Sequence, residues 1–342
     1  MTIHVVKFGE TVYSIAASYG VEPNRLMSDN EVPANGALAV GQTLVVRFPK
    51  EIHEVKEGET LSSIATAYGV STRQLWQNNW FLQGGALVRP GDTLAISSMD
   101  DLLGAAVFNG YAYPYIEQGL LSAEVPFLSN LTLFTYGISS DGHLLPLNDE
   151  ALLAAARTHG TPPVMHLSTF TENDQFDTDR AMLVLTDMTV QDQLVQEIQY
   201  TMRRKGFAGL DVDFEFLPGR LADAYATFLG RLQRLLSSQG WFVWAALAPK
   251  TSADQPGLLY EGHNYAKIGA AVDGVLLMTY EWGYTYQPLG SNHKTPGRPR
   301  AFCMAPFFIW SFAAIQDSWL VWRGLSARMV STSSYPSSYA KL

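Results

Sequence analysis

Cysteine is almost absent: Cys303 is the only one in 342 residues. An internal disulfide framework and a Cys-rich zinc site are therefore excluded. Basic residues are scarce, 23 Lys and Arg against 32 Asp and Glu, giving a formal net charge of -9. Nucleic-acid binders concentrate positive charge, so no nucleic-acid partner is expected. Long apolar runs are lacking too. The longest uncharged apolar stretch, Ala301 to Ile315, is short and contains Pro306, so no membrane span is expected. The beginning has neither a basic segment nor an apolar one; Met1 to Val6 reads as a strand, and no secretory leader is expected. The seven histidines form no ligand-spaced pair, and neither metal nor cofactor is expected. What is present is an ordered composition, 47% hydrophobic and 16% charged, with 12% aromatics that suit sugar rings and ordinary cores alike.

The N-terminal hundred residues repeat. His4-Val5-Val6-Lys7-Phe8-Gly9-Glu10-Thr11 is echoed by His53-Glu54-Val55-Lys56-Glu57-Gly58-Glu59-Thr60. The match continues through Ser14-Ile15-Ala16 and Ser63-Ile64-Ala65, Tyr19-Gly20-Val21 and Tyr68-Gly69-Val70, and pairs Leu26 and Asn30 with Leu75 and Asn79. Each copy closes on Gly-x-Thr-Leu, at Gly41 and at Gly91. A strand enters, Gly-Glu-Thr turns it, and the Thr can cap the helix that follows. Ile15 and Tyr19 give that helix a buried face, and Gly20 stops it in a left-handed conformation. A second short helix and a returning strand complete a βααβ module. The modules are placed at 2–47 and 51–97, with linkers at Pro49 to Ile52 and Ser97 to Leu103.

Both copies resemble the LysM family almost end to end. The resemblance implies binding of N-acetylglucosamine polymers in a shallow groove beside the strand-helix turn. Its residues would be Gly9, Glu10, Thr11 and Val12 facing Asn30, and Gly58, Glu59, Thr60 and Leu61 facing Asn79. The alternative is that these positions are only turn and cap residues.

From 104 onward short apolar runs alternate with helical stripes. Strands are expected at Ala105–Ala112, Leu131–Tyr136, Val164–Leu167, Gly209–Phe214, Val243–Leu247 and Gly274–Thr279. Val190, Leu194, Ile198 and Met202 form one helical stripe; Leu221, Phe228, Leu232 and Leu235 form another. This alternation indicates parallel βαβ units and an α/β (β/α)8 TIM-type barrel over 104–342. A doubly wound sheet would need a Gly-rich phosphate loop after its first strand, and there is none.

Asp211, Asp213 and Glu215 alternate with Leu210, Val212 and Phe214 along the fourth of these strands. Alternate residues point the same way, so the acids should share the barrel interior. Carboxylates crowded in an apolar setting disfavour one another's ionisation, which is the condition a general acid needs. Three surface carboxylates on an edge strand are the bland alternative, and the apolar flanks argue against it.

This segment resembles the D-x-x-D-x-D-x-E signature of glycoside hydrolase family 18, with Ala208 in place of the first Asp. Asn109-Gly110-Tyr111-Ala112-Tyr113-Pro114, Tyr136-Gly137, Ala246 to Thr251 and Met278-Thr279-Tyr280-Glu281-Trp282-Gly283-Tyr284 extend the resemblance to the LysM-linked spore-cortex-lytic N-acetylglucosaminidases. It implies a retaining, substrate-assisted hydrolysis. Glu215 would protonate the glycosidic oxygen, Asp213 would orient the 2-acetamido group, Asp211 would hold Asp213, and Tyr280 would donate to the acetamido oxygen. Tyr111, Tyr136, Met278, Glu281 and Trp282 would line the sugar subsite.

The resemblance ends near 288. Two further strand-helix units need roughly sixty residues or more, and the tail from 289 to 342 lacks their alternation. The barrel is thus expected to be incomplete at its C-terminal end, with a divergent tail closing it through Ala301–Phe308 and Leu320–Trp322 as the alternative. The expected partner is peptidoglycan or a chitin-like N-acetylglucosamine polymer, and the expected place is the spore cortex, coat or cell wall, reached without a leader from the mother-cell cytoplasm. A chitinase and a non-catalytic LysM glycan-binding protein with an inactive barrel stay open as alternatives.

Overall fold

The computed structural model describes residues 1–99, 106–171 and 175–278, together with the backbone of a strand at 307–312. Contacts divide the chain into two compact units: Met1–Ala106 with Glu117–Leu128 and Thr158–Thr161, and Val107–Ile116 with Ser129–Arg157 and the chain from Pro162.

The first unit holds both repeats. Repeat one is β1 (Thr2–Val5), α1 (Val12–Tyr19), α2 (Pro23–Asp29) and β2 (Thr43–Val46); repeat two is β3 (Pro49–Glu54), α3 (Leu61–Tyr68), α4 (Thr72–Asn78) and β4 (Thr93–Ser98). Each pairs its two strands antiparallel. Thr11 and Thr60 cap α1 and α3 in reciprocal capping boxes with Ser14 and Ser63. Gly20 and Gly69 end those helices at φ 65° and 66°. Val6, Val12, Ile15, Leu26 and Leu44 pack one small core, and Val55, Leu61, Ile64, Leu75 and Leu94 its counterpart.

The first expected linker is strand instead, and the second begins as strand. Pro49 to Ile52 opens β3 and Ser97 and Ser98 end β4, because the two segments pair antiparallel with each other, while 100–103 lie outside the described residues. The two repeats also share a buried charge cluster. The Arg25 Nε donates to both carboxylate oxygens of Asp29 at 3.0 Å, and its Nη1 reaches Asn79 Oδ1 at 2.9 Å. Arg47 Nη1 joins them through the Asn78 carbonyl at 3.0 Å. Asp29 is buried, so these guanidinium groups are what make its charge tolerable there.

The second unit is built on β5 (Val107–Ala112). Helix α5 (Gln118–Glu124), which follows it in the chain, belongs to the first unit. Next come β6 (Asn130–Tyr136), α6 (Glu150–His159), β7 (Pro163–Ser168), α7 (Thr178–Thr186), α8 (Met188–Lys205), β8 (Gly209–Asp213), α9 (Ala222–Ser237), β9 (Phe242–Leu247), α10 (Leu258–Glu261), α11 (Tyr265–Gly269), β10 (Gly274–Leu277) and β11 (Phe307–Phe312). The sheet order is β10-β9-β8-β7-β6-β5-β11. The six strands from β5 to β10 are parallel, and β11 runs antiparallel on the β5 edge.

All six expected strands form, each within a residue or two of its expected bounds. They make a curled half-barrel with helical crossovers, an incomplete TIM-type barrel. Of the two segments offered to close the barrel, Ala301–Phe308 is overlapped by the backbone of β11, but its antiparallel pairing is not that of a closing barrel strand. Leu320–Trp322 lies outside the described residues.

Asp187 caps α8, and Arg203, Arg204 and Lys205 sit in its last turn, where cations suit the helix dipole. Its stripe of Leu194, Ile198 and Met202 is buried as expected. In α9 the buried stripe ends on Leu236; Leu235 is 37% exposed, because the helical repeat turns it outward.

Candidate active site

Strand β8 is one of the two central strands of the parallel set, and every one of its five residues is buried. Asp211 and Asp213 alternate onto the inner face, 0% and 4% exposed. The strand ends at Asp213, so Glu215 stands two residues beyond it, half-buried at the carboxyl end of the sheet. The next residue, Phe216, adopts φ 54°, a left-handed conformation that costs a non-glycine residue about 1 kcal/mol or more. Strain of that kind gathers where a chain must turn a side chain to a set position.

The exit of β8 is pinned from behind. His263 is fully buried and bridges Phe214 and Ala248. The Ala248 N–H donates to Nδ1 at 3.3 Å, so Nδ1 is an acceptor and Nε2 carries the hydrogen given to the Phe214 carbonyl at 2.9 Å. Burial holds this imidazole below its ordinary value, in keeping with that neutral tautomer. The neighbouring Gly262 is obligatory, since a Cβ there would lie 2.7 Å from the Leu217 carbonyl oxygen. Tyr225 stacks on Phe214 at 5.6 Å and completes the backing.

Two other strands supply groups to the acids. Tyr111 on β5 donates its hydroxyl to Asp211 Oδ2 at 2.5 Å. Ala246, Leu276 and Met278 pack together, with Tyr111 against them. His166 on β7 stands in register with Asp211, and its Nε2 lies 3.7 Å from Asp211 Oδ2 and 3.6 Å from Asp213 Oδ2. The remaining oxygen of each carboxyl, Oδ1, is buried and has no hydrogen-bond partner among the described residues.

Burial dominates the electrostatics. It pushes Asp211 up to about 7, against the lowering effect of the Tyr111 hydrogen bond. It pushes Asp213 well above the carboxylate range as well, helped by the charges of Glu215 and Asp211. Two buried acids side by side cannot both ionise at neutral pH, and they titrate as a pair. Burial pushes His166 down to about 3, so it is neutral. Its approach to the two acids is therefore a contact between an uncharged imidazole and carboxyls that share protons.

An aromatic band runs along the mouth of the sheet. Tyr113 stacks on Tyr115 at 5.1 Å and meets Phe134 at 4.8 Å; Phe134 meets His166 at 4.7 Å and Phe170 at 5.7 Å. Phe176 links Phe170 to Phe216. The sequence reading missed this band and the buried His166 and His263. His166 could have been found by noticing that Val164, His166 and Ser168 share one face of β7.

Among the expected site residues, the structure brings Tyr111, Met278, Asp211, Asp213 and Glu215 together. Tyr136 is a correction. It is 1% exposed, and its hydroxyl is bonded to Asp149 and, at 2.9 Å, to Lys205 Nζ. A side chain held by that buried ion pair faces the helical layer and not a substrate. Tyr280, Glu281 and Trp282 lie outside the described residues.

In the repeats, Asn30 and Asn79 are also corrections. Asn79 Nδ2 donates to the Leu75 and Ala95 carbonyls at 2.8 and 3.0 Å, and its Oδ1 accepts from the Ala95 N–H at 2.8 Å. Asn30 ties Leu26 to Val45 in the same way. Each amide locks a helix end to the closing strand, and the Asn79 amide, which also accepts from Arg25, has nothing left for a glycan. Glu10 and Glu59 brace their own turns, accepting from Lys7 and Lys56 N–H and meeting His4 and His53 at 2.9 and 2.7 Å. These bonds hold both carboxylates below their ordinary range. Gly9 and Gly58, at φ 84° and 82°, and the capping Thr11 and Thr60 leave their turns open to solvent.

The LysM domain model matches residues 4–47 and 53–97. The cortical fragment-lytic enzyme of Bacillus subtilis (strain 168) is 38% identical over 301 residues, covering 84% of this chain and 67% of that protein. The crystal structure of the spore cortex-lytic enzyme SleL of Bacillus cereus superposes with a TM-score of 0.62 at 30% identity, covering 84% of this chain and 67% of that one. A class V chitinase from Pseudomonas fluorescens Pf-5 superposes at 0.50 with 26% identity, over 56% of this chain and 60% of that one. The chain thus spans about two thirds of its cortex-lytic relatives.

Proposed function

The chain belongs to the family of the cortical fragment-lytic enzymes and is a glycosidase carrying two LysM domains; on that premise we propose that it cuts β-1,4 bonds after N-acetylglucosamine in spore-cortex peptidoglycan. The observation that carries the reading is the buried Asp211–Asp213 pair, bound by Tyr111 and opening onto Glu215 at the carboxyl end of the sheet.

Glu215 is the one acid of the three that reaches the mouth, so it is the group placed to protonate a leaving oxygen. Asp213, next inward and held protonated or charged by its partner, orients the substrate's 2-acetamido group. That group's carbonyl oxygen then attacks the anomeric carbon, and water later opens the ring so formed. Asp211 exchanges the pair's proton with Asp213 and takes its hydrogen bond from Tyr111. Tyr280, Glu281 and Trp282 complete the sugar subsite in this reading. The aromatic band from Tyr115 to Phe216 offers faces for further sugar rings. The LysM turns at Gly9 to Thr11 and Gly58 to Thr60 hold the polymer and raise its local concentration. The spore cortex is the place this assigns to the protein.

The full chain, given purified cortical fragments, is expected to release reducing ends. Glu215→Gln should lower that rate by about 10²–10⁴-fold while leaving binding to insoluble peptidoglycan intact. Equal and negligible release by both would sink the enzyme. Chitin hexamers in place of cortical fragments distinguish a chitinase. A second reading, a glycan-binding protein with an inactive barrel, is favoured by one observation: the described sheet ends on β10 and β11 without closing.

A further inference from the structure

Thr135, Ser168 and His166 lie next to the acids but take no part in the reaction as derived so far. They form a chain with a direction. The Phe170 N–H can only donate, and it reaches Ser168 Oγ at 3.3 Å. Ser168 Oγ lies 2.9 Å from Thr135 Oγ1, and Thr135 Oγ1 lies 2.7 Å from His166 Nδ1. Thr135 Oγ1 also faces the Tyr136 and His166 carbonyls, at 3.2 and 3.4 Å; taking its shortest contact, the one to Nδ1, as its donor bond, Thr135 gives its hydrogen to Nδ1. The hydrogen of the neutral ring is then on Nε2. That atom sits between Asp211 Oδ2 and Asp213 Oδ2, about 0.7 Å beyond normal hydrogen-bond length from either. Phe134 covers the ring and the edge of Tyr111 closes its side, so the imidazole is 1% exposed and held in plane.

We propose that His166 is a positioning residue whose Nε2–H donates to whichever of Asp211 and Asp213 is ionised, fixing where the pair keeps its single proton. When the proton passes from one carboxyl to the other, one O–H bond breaks and one forms. The imidazole keeps its own hydrogen throughout and turns its donor to the newly charged partner. The groups facing His166 are Asp211 and Asp213 from β8 and Tyr111 from β5, with Glu215 beyond Asp213. None of them is a cation that would favour ionising both acids. The burial that holds His166 near 3 keeps it neutral over the working range. The proposal rests on the glycosidase reading for its consequence but not for its geometry.

Two measurements on the full chain test it. In a long-range proton–nitrogen NMR spectrum of imidazole-labelled protein at pH 6.5, His166 should show the neutral Nε2–H tautomer. Its Nε2 shift should move as the acid pair titrates. A neutral Nδ1–H tautomer, or an imidazolium, would overturn the proposal. In the pH–rate profile on cortical fragments, His166→Gln keeps a donor near the Nε2 position and should stay within about tenfold of wild type. His166→Leu should lose about 10²-fold in kcat, the worth of one aimed donor, with KM little changed and the profile displaced. A leucine variant with wild-type kcat and profile would also overturn it. Should the wild type release no reducing ends while the Nε2–H tautomer is observed, the glycosidase reading fails and the proton arrangement stands.

Discussion

Tyr111 and Asp211 are a hundred positions apart in the chain, yet the tyrosine hydroxyl is bonded to the aspartate at 2.5 Å across the inner face of the sheet. This bond lowers the proton affinity of Asp211, opposing the burial that raises it to about 7. Tyr111→Phe should therefore move the titration of Asp211 further up. The change can be followed in the carboxyl carbon resonance, and an unmoved or lowered midpoint contradicts it.

The pair's raised proton affinity makes stability pH-dependent with a definite sign. A carboxyl that ionises near 4 when unfolded and near 7 when folded binds its proton more tightly in the native state. Its stabilisation is complete below about pH 4 and is lost as pH rises through 7, worth about 4 kcal/mol at most. Asp211→Asn should thus gain melting temperature relative to wild type as pH climbs from 5 to 8. A constant difference across that range would remove Asp211 as the cause.

Lys205 Nζ pairs with Asp149 Oδ1 at 2.5 Å, and the carboxylate is 0% exposed. Lys205→Met would leave that carboxylate buried without its cation, at a cost of about 3–5 kcal/mol in urea unfolding. Adding Asp149→Leu to the same chain should recover much of the loss. A single variant with wild-type stability would show that the pair is not desolvated in solution.

Asn79 separates fold from recognition in the second repeat. Asn79→Ala removes three backbone hydrogen bonds at a buried site and should destabilise that repeat by about 2–3 kcal/mol. At low temperature, where the repeat is still folded, its affinity for insoluble peptidoglycan should be unchanged. Selective loss of affinity there would restore Asn79 as a glycan ligand.

The legible part of this protein is what local rules govern. Thr11 and Thr60 cap helices because a hydroxyl before an apolar stripe has an orphan N–H to satisfy, and Gly20 and Gly69 end them because a left-handed residue must. The alternation of Asp211 and Asp213 with Leu210 and Val212 placed the acids on one face of β8, and the matching repeat disclosed two like modules. None of this needs a partner distant in sequence.

The tertiary structure decided which polar groups meet. Tyr136 and Tyr111 are both tyrosines on strands of one sheet; the ion pair of Asp149 and Lys205 takes the first, and Asp211 takes the second. Asn30 and Asn79 read as groove residues until the closing strands bring backbone groups to their amides. His166 and His263 look solitary in the sequence. One lies between two carboxyls because register sets β7 beside β8, and the other pins Phe214 because Gly262 lets two loops approach. Hydrogen-bond partners and burial, and with them the protonation of Asp211 and Asp213, are properties of packing between strands, which residue order along one strand does not contain.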